Sequence, residues 1–297
     1  MFIYEAAALA AALAWAFTGI IAADPSRALG AMAFSRWRMT IVFFMLAAWT
    51  TLFGGWQSLQ PEWSIALALS GFIGIFIGDT ALFQTMNRLG PRRTAMLFSL
   101  NAPMSVVLAW GFLGESLPAS ALLGIAIIMA GVILAIIYGK RRDQLHRWES
   151  IRGPLWVGLS LGLLAALGQA IGALIVRPIM EAGADPVAAS AIRVGISALA
   201  LIAAVVLPFN AVRQQTKMTW DLLWRVALSG FLAMGLGMTL ILFALSGGKV
   251  GIITTLSATT PVMVLPILWW RTKEMPASGA WIGAALVIVG SALIFNG

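Results

Sequence analysis

Apolar residues run along this chain in long unbroken blocks. They follow neither the three-and-four spacing of a surface helix nor the strict alternation of a half-buried strand. A helix that crosses a bilayer needs about 20 mostly apolar residues. Ten blocks meet that length and are predicted as spans: Ile3–Ala23, Met32–Gly54, Ser64–Met86, Thr94–Leu113, Ala119–Tyr138, Leu155–Val176, Val187–Leu207, Leu222–Leu245, Val250–Trp270 and Ala277–Phe295. The breaks between them carry turn chemistry, at Asp24-Pro25-Ser26, Gly90-Pro91, Leu117-Pro118, Asp185-Pro186 and Met275-Pro276. Inside a bilayer only helices and closed barrels satisfy their own backbone. The length of the blocks and the lack of alternation exclude a barrel, so the chain is predicted to be an all-α membrane protein.

Composition agrees. Of 297 residues 61% are hydrophobic and 10% charged, with a mean hydropathy of +0.94. Soluble domains are about one quarter charged, so the solvent of this chain is lipid. The first block carries Glu5 in place of a basic leader, and it is predicted as a span rather than a signal peptide. Absent cysteine excludes disulfides, thiolate metal sites and thiol nucleophiles. A single histidine, His146, excludes multi-histidine metal sites. There is no phosphate-binding glycine loop for an ATP-driven engine. No cofactor and no metal are expected.

Charge gives the orientation. The longest polar stretch, residues 139–153, holds Arg141, Arg142, His146, Arg147 and Arg152, and divides the chain nearly in half. All but Arg177, Arg193 and Lys249 of the 19 Lys and Arg residues lie in odd-numbered loops or the helix ends beside them. The positive-inside rule places those loops, the linker included, in the cytoplasm of a bacterium's inner membrane, with both termini periplasmic. The net charge of +8 then reflects loops facing anionic lipid rather than nucleic acid. Arg38 and Arg193 fall near helix starts, where snorkelling to the interface is the default expectation.

The two halves repeat. Gly71 pairs with Gly230, Gly78 with Gly237, Thr80 with Thr239, Gly90 with Gly248 and Pro103 with Pro261, at a nearly constant separation. Pro118-Ala119-Ser120 recurs as Pro276-Ala277-Ser278, Gly124 as Gly283 and Gly131 as Gly290. The fronts match more weakly, Arg38 with Arg193 among them. Each half, 1–138 and 154–297, holds an odd number of spans. Two such halves in tandem cross the membrane in opposite senses. Inverted five-helix repeats with a site near the midplane are a design of secondary transporters.

The segment from Gly71 to Gln84, with Leu89-Gly90-Pro91, Pro103 and Gly114-Glu115, resembles the EamA-type repeat of the drug/metabolite transporter superfamily. Over its whole length the chain is also similar to YddG-type amino-acid exporters. The second half departs from the pattern, with Thr272-Lys273-Glu274 where Gly-Glu is expected. The resemblance implies ten helices and movement of small organic solutes, often outward.

Candidate site residues follow from membrane depth. Pro103 and Pro261 lie near the centres of the fourth and ninth spans and leave the carbonyls of Ser99 and Ser257 without their usual donors. They are predicted hinges, with rescue by Ser and Thr side chains as the alternative. Around them Ser99, Asn101, Thr254, Thr255, Ser257, Thr259 and Thr260 are candidates to bond a solute, or else to pack helices. Asp79 is the one carboxylate well inside a span. It is a candidate proton carrier or cation contact, with a structural bond, for example to Arg88, as the alternative. Its repeat partner is Met238. Gln84, Thr239, and the facing set of Trp15 and Thr18 with Gln169 complete the predicted solute site. Gly71, Gly74 and Gly78 are predicted to pack helices closely.

These readings converge on a carrier that works by alternating access, its cavity lined by spans 1, 3, 4, 6, 8 and 9. Its expected partners are the bilayer and a small neutral or zwitterionic metabolite such as an amino acid. No nucleic acid and no particular oligomeric state is implied. A channel is the second reading. A membrane-embedded enzyme is the third, and would need a buried catalytic pair where the spans offer Asp79 alone.

Overall fold

The computed structural model describes residues 2–138, 153–206, 212–272 and 277–296. The basic linker at 139–152, with His146, and the Met275-Pro276 break lie outside them. Among the described residues there is helix and turn but no strand. The spans are α1 (Ile3–Leu29), α2 (Ala31–Phe53), α3 (Pro61–Leu89), α4 (Pro91–Ser99 and Asn101–Leu113), α5 (Ala119–Tyr138), α6 (Leu155–Glu181), α7 (Pro186–Ala203), α8 (Trp220–Leu245), α9 (Val250–Ser257 and Thr260–Thr272) and α10 (Ser278–Asn296). Among the described residues nine are long and apolar enough to cross a membrane, and the apolar stretch of α10, Ser278–Ile294, is shorter.

The punctuation mostly acts where the sequence places it. Asp185 accepts from Ala188 N at 2.8 Å and so caps α7, with Pro186 in the first turn. Gly90 joins α3 to α4 at φ +81°, and Pro118 precedes α5. One predicted break is overturned. Asp24-Pro25-Ser26 is helical, and α1 continues to Leu29 before Gly30 turns the chain at φ +84°. The first helix of the second half behaves alike, with Pro178 inside α6. A proline removes one backbone bond and crowds the preceding turn, but membrane helices tolerate this where neighbours take up the freed groups. The positive φ of Gly30 is the true stop, because L side chains resist it.

The halves interlock. α5 packs against α10 through repeat-related glycines. A Cβ on Gly131 would lie 2.7 Å from Gly283 O, one on Gly124 would lie 2.7 Å from Gly290 O, and one on Gly290 would lie 2.7 Å from Gly124 O. Gly124 is the counterpart of Gly283, and Gly131 of Gly290. The contacts therefore cross over, as in an isologous two-fold interface. The earlier glycine of one helix meets the later glycine of the other, so α5 and α10 run antiparallel. The two copies are thus inverted. Elsewhere α1 packs on α8, α6 on α3, and α2 on α7, so the two halves share one core.

Gly131→Val is expected to lower stability by about 1–3 kcal/mol through overpacking. Gly111, which has no atom within 4 Å of its Cβ position, serves as the control. Melting in detergent should fall for Gly131→Val and stay put for Gly111→Val.

Candidate functional site

The helices that carry Pro103 and Pro261 are both interrupted, at places related by the repeat. α4 is interrupted at Leu100 and α9 at Ala258-Thr259. Each interruption lies just before the proline, Pro103 or Pro261, that removes a donor. The freed carbonyl of Ser257 accepts from the Thr260 hydroxyl at 2.8 Å. Other polar side chains here also bond their own helix: Ser99 to Met96 O, Asn101 to Phe98 O at 2.6 Å, and Ser257 to Thr254 O. In this conformation the polar belt of α4 and α9 is occupied locally.

A second symmetric irregularity was not predicted. α3 winds as a π-helix over Phe72–Ile77, and α8 does so over Phe231–Gly237. The two segments are repeat partners. Wider turns of this kind are rare and concentrate at functional sites. In α8 the Ala233 carbonyl takes the Met238 N–H and also accepts from Trp15 Nε1 at 2.9 Å. Trp15 thus ties α1 to the irregular turn. The glycines behave as predicted: a Cβ on Gly74 would meet Gly172 Cα at 3.2 Å, and Gly71 abuts the backbone of Arg193.

The charges beside these turns differ from expectation. Arg38 and Arg193 are 1% and 2% exposed and do not snorkel. Each stands two turns inside its helix, about 10 Å from the first residue, on the face that meets the other half. The Arg38 guanidinium pairs with the Asp79 carboxylate, which Ser35 Oγ approaches at 3.4 Å. The rings of Phe34 and Phe83 flank the guanidinium, with centroids 5.1 and 4.6 Å away. Arg38, not Arg88, is therefore the partner of Asp79.

The other half repeats the arginine but not the acid. Ser35 and Arg38 correspond to Ser190 and Arg193, and the place of Asp79 is held by Met238. Arg193 Nη1 donates to Met238 Sδ at 3.2 Å, its Nη2 stands 3.4 Å from a Cβ position on Gly74, and its Nε has no partner. Among the described residues no carboxylate pairs with it. Ser190 Oγ is 3.2 Å from Thr239 Oγ1. Only one buried charge was expected for a solute to match. With Arg38 and Asp79 neutralising each other, the excess charge at the centre is instead the cation Arg193.

The structure thus brings Asp79, Trp15, Met238 and Thr239 beside the π-turns of α3 and α8. Gln169 lies next to Gly78, whose Cβ position is 3.6 Å from Gln169 N. Thr18 bonds its own helix at Ala14 O, and Gln84 is half-buried with no described polar contact. A small cavity among Arg27, Gly30, Asn87 and Gln215 lies at the odd-loop ends of the helices and holds none of the predicted residues. The two arginines were the residues that sequence reading missed. Their signal was present in the matched pair Arg38 and Arg193, both well inside a span.

The sequence pattern of the EamA-like transporter family matches residues 2–137 and again 156–296. The chain belongs to the EamA-like transporter family. It is a multi-pass membrane protein of that family, with two family repeats in one polypeptide. No curated protein matches the chain. Among solved structures, one titled "Crystal structure of protein" superposes with a TM-score of 0.77 at 16% identity, covering 98% of this chain and 95% of that one. That likeness speaks to the fold alone.

Proposed function

We propose that this EamA-like protein is a secondary carrier that moves small organic metabolites, amino acids foremost, outward across a bacterial inner membrane by alternating access. The observation that carries the reading is a pair of pseudo-symmetric irregularities, each in the middle part of its span. These are the proline breaks of α4 and α9, and the π-turns of α3 and α8. Inverted repeats place solute sites where helices are discontinuous near the midplane. Bending at Pro103 and Pro261 while α1 and α6 rock against α8 and α3 would expose that site to either side in turn. The outward direction rests on the resemblance to amino-acid exporters.

Asp79 serves in this reading to neutralise Arg38, so movement follows the solute gradient and not a proton gradient. The decisive assay is counterflow. Purified protein in liposomes preloaded with unlabelled amino acids should accumulate labelled ones saturably, and equally with or without a pH gradient. Non-saturable flux would point to a channel, and a gradient dependence abolished by Asp79→Asn would return Asp79 to proton coupling.

The orientation has its own support. Of the basic residues outside the odd loops, Arg177 lies 3.6 Å from Glu115 Oε1 and Lys249 Nζ donates to Ser116 O, while Arg193 is buried. Arg177 is thus paired and Arg193 is withdrawn from the surface, which leaves Lys249 as the exposed cation on that side, too few to oppose the rule. The chain has no cysteine, so single replacements report cleanly. Ser116→Cys is expected to react with an impermeant maleimide in intact cells, and Lys217→Cys only after permeabilisation. The reverse pattern would invert the topology.

A further inference from the structure

We propose that Arg193, with Ser190 beside it, is a carboxylate-binding site, and that the carboxylate of the carried solute takes the place that Asp79 occupies in the other half. The inference rests on the carrier reading for the word solute, but the anion site itself rests on geometry.

The two halves build the same constellation. In the first, Ser35 and Arg38 on α2 converge on Asp79, just past the π-turn of α3. In the second, Ser190 and Arg193 on α7 face Met238, just past the π-turn of α8. The glycine contacts agree that the positions correspond: Gly71 abuts Arg193, and its partner Gly230 abuts Arg38. The arginine and the serine that hold the carboxylate are duplicated, and the carboxylate is not.

A guanidinium buried without a counter-charge is costly in a membrane and marks a place where an anion binds. Its present partner is a weak one. Thioether sulfur is a poor acceptor, and methionine has three torsions through which to withdraw. A carboxylate offers charge-assisted bonds in the planar geometry that guanidinium prefers. It would displace Met238 from Arg193 and bring the local charge to neutrality, as Asp79 does for Arg38. The Ser190 and Thr239 hydroxyls, now bonded to each other, lie beside it as further donors.

Thermal melting of the purified full-length protein tests this without transport. Neutral L-amino acids and the corresponding deaminated acids, each at millimolar concentration, should raise the melting temperature. The corresponding amino-acid amides should not. Arg193→Gln should weaken the apparent affinity for the acids by about tenfold to a hundredfold. Should that variant fail to fold, Met238→Asp provides the second arm. Met Sδ and Asp Oδ are at the same bond distance from Cα, so the substitution installs an internal competitor and should abolish the response to acids. Met238→Asn has similar shape without the charge and should keep it. Equal stabilisation by acids and amides, no stabilisation by any acid, or loss in both Met238 variants alike would each overturn the site. Counterflow separates the two readings. Solute exchange indifferent to the carboxylate would remove this site and leave the carrier. Carboxylate binding without exchange would remove the carrier and leave the site.

Discussion

Asp79→Ala is expected to destabilise the protein by about 3–5 kcal/mol, because it leaves the Arg38 guanidinium buried without its counter-charge. The loss comes less from the missing attraction than from the orphaned cation, which neither water nor lipid can reach to solvate. Phe34 and Phe83 supply only the negative faces of their rings, a weak substitute. The same logic predicts that the double substitution Arg38→Met with Asp79→Leu recovers most of that stability, since a buried pair replaced by apolar groups of similar volume is often neutral or better. Melting of the two variants in detergent decides the point. If the double variant is as unstable as the single, packing around Arg38 and not its charge holds the α2–α3 contact.

Met238→Asp is expected to act in the opposite direction. Arg193 Nη1 is already within 3.2 Å of the Met238 sulfur, so an aspartate oxygen at that position meets it with no backbone movement. Supplying the missing partner of a buried cation should raise stability by about 1–3 kcal/mol, the range for hydrogen bonds to charged groups and for relief of an unsatisfied one. It should at the same time stop counterflow, because the position is filled by a side chain that cannot leave. Higher stability with lost activity is the trade expected where a destabilised site is part of the working cycle. A variant that melts lower than the parent would show that Arg193 needs no counter-ion and that its burial is structural.

Much of the fold was legible because lipid imposes few rules and strict ones. A block long enough to cross must be a helix, and a repeat with an odd number of spans must invert. The Gly124, Gly131, Gly283 and Gly290 positions could be paired from spacing, and the structure joins them across the interface. Helix ends were less legible. Pro25 reads as a breaker by local chemistry, but α1 passes through it and stops at Gly30, since a stop depends on which neighbours take up the freed backbone. Arg38 and Arg193 were misassigned for a related reason. Sequence gives the depth of a side chain along its helix, not the face it points to, and the face decides between lipid headgroups and a carboxylate. Asp79 was recognised as exceptional while its partner was not, because an ion pair between α2 and α3 has no signature in spacing. The π-turns were hidden altogether, since a wider turn keeps the same apolar residues and shifts only the register of those that follow.

The location of the Arg38–Asp79 pair within one half bears on how the protein is made. Both residues belong to spans that emerge early, so their charges can cancel as soon as α3 joins α2 in the bilayer, before any of the second half is synthesised. The glycine face of α3 has no such local answer. Gly74 closes on Gly172, and Gly71 on the backbone of Arg193, both supplied by helices that do not yet exist. The first half by itself therefore has its central ion pair complete but its packing unfinished, since the α3 face that α6 and α7 cover is still open and Glu115 still lacks Arg177. Arg193 arrives last among the central charges, meets no acid there among the described residues, and in the proposed cycle takes its counter-ion from the solute.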